Sequence, residues 1–370
     1  MLKDTATVAL LAGLSLGWGC SSPSQVEDPE QKLVVQAYLV PGQDTEVRMR
    51  HMLPPGRYYD GLEDTVRGAR VQIAVDGATF VLSERADEPG TYAVPSRVME
   101  VVSGGTYALT VTDGDRQARA STVVPFPVEI TQVTADTIVY YQQYGDSYGE
   151  LMHPGEFRWT RSPNAAGYVV IVESPEVRSL SEPALPLTAD LDTLLAWRQR
   201  AAGMVGQDSL DALDRRIAAL RAYFEANVSL LRPNGEEVRW LRDRDQEDWD
   251  KIDGKDWSEG KRWRERMDKL FFGRSIDFWV PADTLRSDYW WLGVRFEGEY
   301  RVTVQAADRN YMDYYQTSFN GQSGNDGDKG PVFHVENGFG VFGSYAADSF
   351  GLQSVRGDSA TSLKVLARRE

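Results

Sequence analysis

Gly105-Thr-Tyr-Ala-Leu-Thr-Val111 and Gly298-Glu-Tyr-Arg-Val-Thr-Val-Gln-Ala306 share one form: a glycine, a tyrosine two places on, then an alternation rich in apolar and β-branched residues. Successive side chains of a strand point to opposite faces, so each stretch sends one set of residues to a core and the other outward. Two such strands, far apart in the chain, predict two β units. A pair is too few to predict a repeat array.

Outward from the first of these strands, residues 32–125 are a series of short β-branched and aromatic runs broken by turn residues. They include Leu33-Val-Val-Gln-Ala-Tyr-Leu-Val40, Glu46-Val-Arg-Met-Arg50, Thr79-Phe-Val-Leu82 and Thr91-Tyr-Ala-Val94. Within Ala69–Val75 the alternation places Val71, Ile73 and Val75 on one face, and Asp76-Gly77 turns the chain. Short strands at regular spacing without a helical period predict a β-sandwich. Pro125-Phe-Pro127 punctuates its end.

A second unit starts near Val128. Phe157-Arg-Trp-Thr160, followed by Ala165-Ala-Gly-Tyr-Val-Val-Ile-Val172, resembles the early strands of a fibronectin type III domain. The Gly298 stretch resembles a later strand, with Tyr300 at the place of the corner tyrosine that hydrogen-bonds back to the backbone, and Tyr107 has the same place in the first unit. The expected fold is mainly β: two tandem β-sandwiches of immunoglobulin or fibronectin type III kind, residues 32–125 and 126–370, with a helical insertion at 176–275 in the second.

Helical signals define that insertion. Thr188 and Asp190 offer starts before Leu191-Asp-Thr-Leu-Leu-Ala-Trp-Arg198, and Asp208 offers another. Leu210, Leu213, Ile217, Leu220, Phe224 and Leu231 form an apolar stripe at helical spacing, whose expected partner is the preceding helix. Pro233-Asn-Gly ends it, a charged stretch carrying Trp240, Trp249, Trp257 and Trp263 follows, and Ser258–Leu270 predicts another helix. Long elaborations on a rigid scaffold often carry function.

The N-terminal residues address location. Val8-Ala-Leu-Leu-Ala-Gly-Leu-Ser-Leu-Gly-Trp-Gly19 is an apolar run too short to span a bilayer, Lys3 precedes it, and Cys20, the single cysteine, follows it. The pattern predicts a lipoprotein signal over 1–19, lipid on Cys20, a polar tether over 20–31 and an outer-membrane location on the periplasmic or the surface side. A lipobox usually has Leu three places before the cysteine and a small residue two before; here Gly17 and Trp18 stand there, and Leu16 lies one place early. An ordinary secretory signal beside an incidental cysteine, or a buried thiol, are the alternatives. One cysteine offers no disulfide framework, so stability must come from burial. A formal net charge of −15 argues against nucleic acid and against adhesion to anionic lipid.

Chemistry-bearing motifs are few. Asp248-Trp-Asp-Lys-Ile-Asp-Gly-Lys-Asp-Trp-Ser-Glu259 has acidic groups at the first, third and twelfth positions of an EF-hand loop, but Ile252 holds the fifth and the glycine comes one place late. It reads as a solvated acidic segment, and Asn325-Asp-Gly-Asp-Lys-Gly330 as a loop, so no metal or cofactor is expected. The three histidines, His51, His153 and His334, have no metal-ligand spacing, and neither a Gly-x-Ser-x-Gly elbow nor a phosphate-binding glycine loop occurs. A non-enzymatic protein is expected. Aromatic residues are the richer resource: Trp249, Trp257, Trp290 and Tyr314 are the candidate binding surface for a sugar ring or a partner's apolar side chain, against a reading of most aromatics as packing.

Taken together, the lipoprotein signal, Val35-Gln-Ala-Tyr-Leu-Val-Pro-Gly42, Gly68-Ala-Arg-Val71, Gly105-Thr-Tyr-Ala-Leu-Thr-Val111, Val124-Pro125, Ala306-Ala-Asp-Arg-Asn-Tyr311 with Tyr314-Tyr315, and Val335-Glu-Asn-Gly-Phe-Gly-Val-Phe-Gly-Ser344 resemble envelope lipoproteins catalogued as a domain of unknown function and often found beside TonB-dependent receptors. The resemblance covers most of the chain outside the helical insertion and implies no catalytic residue. It implies a lipid-anchored binding or accessory protein of a TonB-linked uptake complex, with a TonB-dependent receptor, a glycan or another small ligand as partner. A glycan or peptidoglycan hydrolase using unidentified carboxylates, and a structural adhesin or scaffold, are the alternatives. The three glycines after Asn337 permit close backbone approach, so that segment is either a tight crossing or a contact site.

Overall fold

Period-two burial organises the first strands. β1 (Leu33–Leu39) turns Leu33, Val35, Ala37 and Leu39 inward, and β2 (Thr45–His51) runs antiparallel to it with Val47 and Met49 inward. The structure, a computed structural model, describes residues 32–52, 64–142, 149–151, 155–180, 188–201, 203–227, 230–241, 243–252, 254–320 and 330–357. β3 (Arg70–Val75) passes through Asp76 and Gly77, at φ of 50° and 79°, into β4 (Ala78–Glu84). Positive φ at both central residues gives a two-residue hairpin whose twist matches its strands. β5 (Thr91–Val94), β6 (Thr106–Asp113) and β7 (Arg116–Val123) complete this set. Its core gathers Val35, Val47, Ile73, Tyr107, Leu109 and Val111.

A second core lies among β8 (Ile130–Val133), β9 (Thr137–Gln142), β10 (Gly149–Leu151), β11 (Glu156–Trp159), β12 (Gly167–Glu173), β13 (Ser275–Pro281), β14 (Arg286–Asp288) and β15 (Gly298–Ala307). It buries Phe157, Trp159, Tyr168, Val170, Tyr300 and Val302. The tyrosine corners form in both cores. The Tyr107 hydroxyl accepts from Val102 N at 2.8 Å and donates to Glu100 O at 3.0 Å, while the Tyr300 hydroxyl accepts from Arg295 N and Phe296 N at 3.3 and 2.9 Å.

The chain ends its described course in β16 (Val335–Glu336) and the long β17 (Gly338–Arg356), and β17 joins the cores. Its first seven residues pair in parallel with β1, Leu33 opposite Gly338 through Leu39 opposite Ser344. From Tyr345 onward it pairs with β15 in antiparallel register, and its last residues pair with β9. The sheet therefore follows the path β13-β12-β15-β17-β1-β2-β5-β4-β3-β6-β7-β16 without a break, with β9 and β10 attached at β17 and a separate sheet β14-β11-β8. The fold is mainly β, with one large curled sheet serving two cores. The first core draws Val335 and Phe342 from beyond residue 125, where the sequence pattern assigns them to the second unit. Gly340 makes this possible: at φ 96° it runs beside β1 so closely that a Cβ would collide with the Val35 carbonyl, and the glycine-rich segment is a close approach of two paired parallel strands rather than a crossing.

The helices lie between β12 and β13, which are paired neighbours. They are α1 (Pro175–Leu180), α2 (Thr188–Ala201), α3 (Gln207–Asn227), α4 (Asp243–Asp250) and α5 (Glu259–Arg274). Glu173 pairs with Ser275, so the chain leaves the sheet and returns to it at adjacent positions. Leu191 and Leu194 of α2 pack with Ile217 and Phe224 of α3, and Trp263 and Met267 of α5 close the cluster. The expected hairpin is thus part of a three-helix packing. The stripe on α3 stops short of Leu231, which lies beyond the helix end and bridges Glu237 across the Pro233-Asn-Gly turn. A last helix, α6 (Arg309–Asn320), follows β15.

Candidate functional site

The α5 sequence places Trp263, Arg266, Met267 and Leu270 at helical positions i, i+3, i+4 and i+7, one face of the helix. Leu270 packs with Val177, Val238, Trp240 and Phe296 in a cluster that seats the helices on the sheet. Trp240 is buried there, its ring 4.2 Å from that of Phe296. Trp249, on α4, leans on Trp240 at 5.8 Å, and Trp263 stacks on Phe224 of α3 at 5.7 Å. The guanidinium of Arg266 lies 5.4 Å from the Trp249 ring and 5.6 Å from the Trp263 ring, a cation–π arrangement with both.

These three indoles and Arg266 line a cleft of about 360 Å³. Glu225, Glu237, Gln246 and Asp250 add polar groups to its lining, and Gln246 Nε2 donates to Asp250 Oδ1 at 3.1 Å. Three carboxylates and one guanidinium thus line the cleft. The frame around the cleft is tied by charge-assisted contacts. Arg221 of α3 donates two bonds of 2.7 Å to the Glu259 carboxylate at the start of α5, and this guanidinium holds the Glu259 carboxyl below the usual carboxylate range. Asp192 of α2 accepts from Ser258 Oγ at 2.7 Å and Gly260 N at 2.9 Å, fixing the same helix start. Such an arrangement suits binding by stacking and hydrogen bonding within stiff walls.

A model of the family described as Domain of unknown function (DUF4249) matches residues 22–350. The chain belongs to the DUF4249 family. No curated protein matches it. A solved structure, the crystal structure of chicken CNTN1 FN1-FN3 domains, is similar at 9% identity and a TM-score of 0.19, over 74% of this chain and 57% of that one, and at that score it carries no argument.

Of the residues that the sequence singles out in this DUF4249 protein, Trp249 lines the cleft, and Trp257 and Tyr314 lie elsewhere. Trp257, half-buried between α4 and α5, has Lys255 Nζ at 4.4 Å and Lys261 Nζ at 4.7 Å from its ring. Trp290 falls in the 3-10 turn Tyr289–Leu292, and its side chain, like Cys20, lies outside the described residues. Tyr314 is on α6, its ring 6.1 Å from Phe333. Beside it, Tyr311 of α6 packs with Tyr38 of β1, Tyr345 of β17 and Tyr315, lying 4.7 Å from Tyr38 and donating to Gln305 Oε1 at 2.9 Å. Burial pushes the hydroxyls of Tyr38, Tyr311 and Tyr315 up. Trp240, Trp263 and Arg266 complete the cleft; the spacing of Trp263 and Arg266 on one helix face was the available signal.

In the DUF4249 chain Asp248 and Asp250 lie on α4 and Glu259 on α5, and among the described residues no three His, Cys, Asp or Glu side chains are placed to hold a metal ion. The loop 325–330 falls outside the described residues but for Gly330, as does His153. His51 Nε2 lies 2.9 Å from Asp113 Oδ2, and His334 Nε2 2.9 Å from Asp313 Oδ2. Among the described residues no helix is long and apolar enough to cross a membrane.

Proposed function

We propose that this DUF4249 protein is a lipid-anchored outer-membrane binding protein, an accessory component of a TonB-linked envelope uptake complex. Cys20 carries the lipid, the curled sheet is the scaffold, and the helical segment presents the binding cleft. The observation that carries the reading is the cleft itself. Three indoles held on separate elements around a polar-rimmed space, on an elaboration that the sheet does not need for its own closure, support recognition. The two hydrophobic cores support a matching reading of the scaffold, two sandwich-like halves that share β17.

The test is affinity capture of the tagged full-length protein from solubilised outer membrane, with mass spectrometry of what is retained. A TonB-dependent receptor retained by the wild type, and lost when residues 174–274 are replaced by a short turn between the paired Glu173 and Ser275, supports the accessory role. Retention of the protein alone overturns it. Acyl labelling checks the anchor: wild type takes the label and stays with membrane, while Cys20→Ser takes none and is released. The carboxylates of the cleft favour a second reading, a glycan hydrolase. Release of new reducing ends from oligosaccharide, abolished in Asp250→Asn, is the result that reading requires.

A further inference from the structure

We infer that the cleft between α3, α4 and α5 is a saccharide subsite that takes neutral rather than acidic sugars. The inference rests on the binding role proposed above and names its ligand class. Its volume, about 360 Å³, stands at the small end of ligand sites, which suits a short stretch of pyranose rings rather than an extended polymer or a helix of a partner. A pyranose has one face of C–H groups and an equator of hydroxyls. It is recognised by apolar ring surface with planar donors and acceptors beside it; Trp240, Trp249 and Trp263 bring indole rings to the lining, and Gln246, Asp250 and Arg266 bring polar groups. Trp240 forms an immobile floor, since it is 3% exposed and packed on Phe296. Trp249 and Trp263 are half-buried, and Arg266 lies against both rings, so the walls are set before a ligand arrives and little is lost in ordering them. Gln246 and Asp250, already bonded to each other, offer an amide and a carboxylate one helical turn apart for hydroxyls at the rim.

Charge narrows the class. Glu225, Glu237 and Asp250 outnumber Arg266, and the chain as a whole carries −15. An anionic sugar entering a net-negative cleft on a net-negative chain meets repulsion on both scales, whereas a neutral sugar meets none. A purely apolar side chain from a partner would leave the carboxylates and the amide without new bonds, which disfavours that occupant.

The experiment titrates the full-length protein in detergent with maltotetraose, cellotetraose, mannotetraose and N-acetylchitotetraose, and with tetragalacturonate as the acidic counterpart, by intrinsic tryptophan fluorescence and calorimetry. Saturable binding of at least one neutral tetrasaccharide and none of tetragalacturonate at about 1 mM is expected. Trp249→Ala should weaken that binding by about tenfold or more. Because Trp249 also packs on Trp240, Asp250→Asn at an exposed position is the second variant, and it should weaken binding without moving the melting temperature. Trp197→Ala, exposed on α2 and outside the cleft, should leave affinity unchanged. Preference for tetragalacturonate, undiminished affinity in both Trp249→Ala and Asp250→Asn, or no binding of any neutral tetrasaccharide overturns the inference. Receptor capture that survives such a failure keeps the binding role and removes the ligand class; loss of both removes both.

Discussion

Tyr300 lies inside the second core, and its hydroxyl is the acceptor for two backbone N–H groups, those of Arg295 and Phe296. Tyr300→Phe keeps the ring and leaves both donors unpaired in a dry place, a loss of about 1–3 kcal/mol. Urea unfolding checks it, and equal midpoints would show that water takes the hydroxyl's place. Glu259 gives a prediction with a pH signature. Arg221 depresses its folded-state carboxyl pKa, so its stabilisation is fully present above the unfolded value of 4.5 and is lost as pH falls through the folded value. Glu259→Gln should therefore cost about 1 kcal/mol at neutral pH, an order set by its partly exposed partner, with the gap to wild type closing below pH 4.5. Melting curves across that range decide it, and a gap constant with pH would sink the assignment. The tyrosine was readable from the chain because Gly-x-Tyr before an alternating strand is a local pattern. Asp308 was not. Its carboxylate caps α6 by accepting from Tyr311 N and also accepts from Thr122 Oγ1 at 2.7 Å and Ser344 N at 3.0 Å, partners that no window of sequence brings together.

β17 shows what an element can and cannot announce. Its glycines marked a place of close approach, yet the strand approached lies at the other end of the described chain, and strand pairing at such separation leaves no periodic trace. The helices were the converse case. The stripe on α3 follows from 3.6-residue geometry alone, and the cleft-facing side of α5 was visible as a spacing, but what that side faces depends on α4 and on Trp240 arriving from a separate turn. Gly340→Ala tests the close approach to β1. The position combines φ 96° with a Cβ site occupied by the Val35 carbonyl, so the substitution should cost about 3 kcal/mol or more through strain and displacement of β1. Gly351→Ala in the same strand, with nothing within 4 Å of its Cβ site, is the matched control and should be close to neutral. Denaturant midpoints of the two variants make the comparison, and similar losses would mean that the strand as a whole, not the close approach at Gly340, is sensitive to glycine replacement.

At the scale of the whole molecule, two cores share one strand, and the point of transfer is chemically marked. β17 leaves β1 at Ser344 and joins β15 at Tyr345, and Asp308 sits beside that step, donating N–H to Ser344 O at 3.0 Å while its carboxylate holds Ser344 N and Thr122 of β7. Burial raises the Asp308 carboxyl, and these donors offset part of that cost. A continuous backbone ladder plus a buried side-chain tie predicts that the cores unfold together. The tryptophans provide the means to see it: residues 32–124 contain none, so indole fluorescence follows the second core and the helices, whereas far-UV circular dichroism follows the strands of both. In the wild type the two transitions should superimpose. In Asp308→Ala the Ser344 and Tyr311 N–H groups lose their acceptor and the Thr122 hydroxyl keeps only Ser344 Oγ, 2.7 Å away, a penalty of about 1–3 kcal/mol for each group left unpaired, concentrated at the joint. The dichroism and fluorescence curves should then part, because each core keeps its own packing while the carboxylate tie between them is gone. Separate transitions in the wild type would mean that β17 is a bridge between independent bodies; coincident transitions in Asp308→Ala would place the coupling in the β1 and β15 ladders alone.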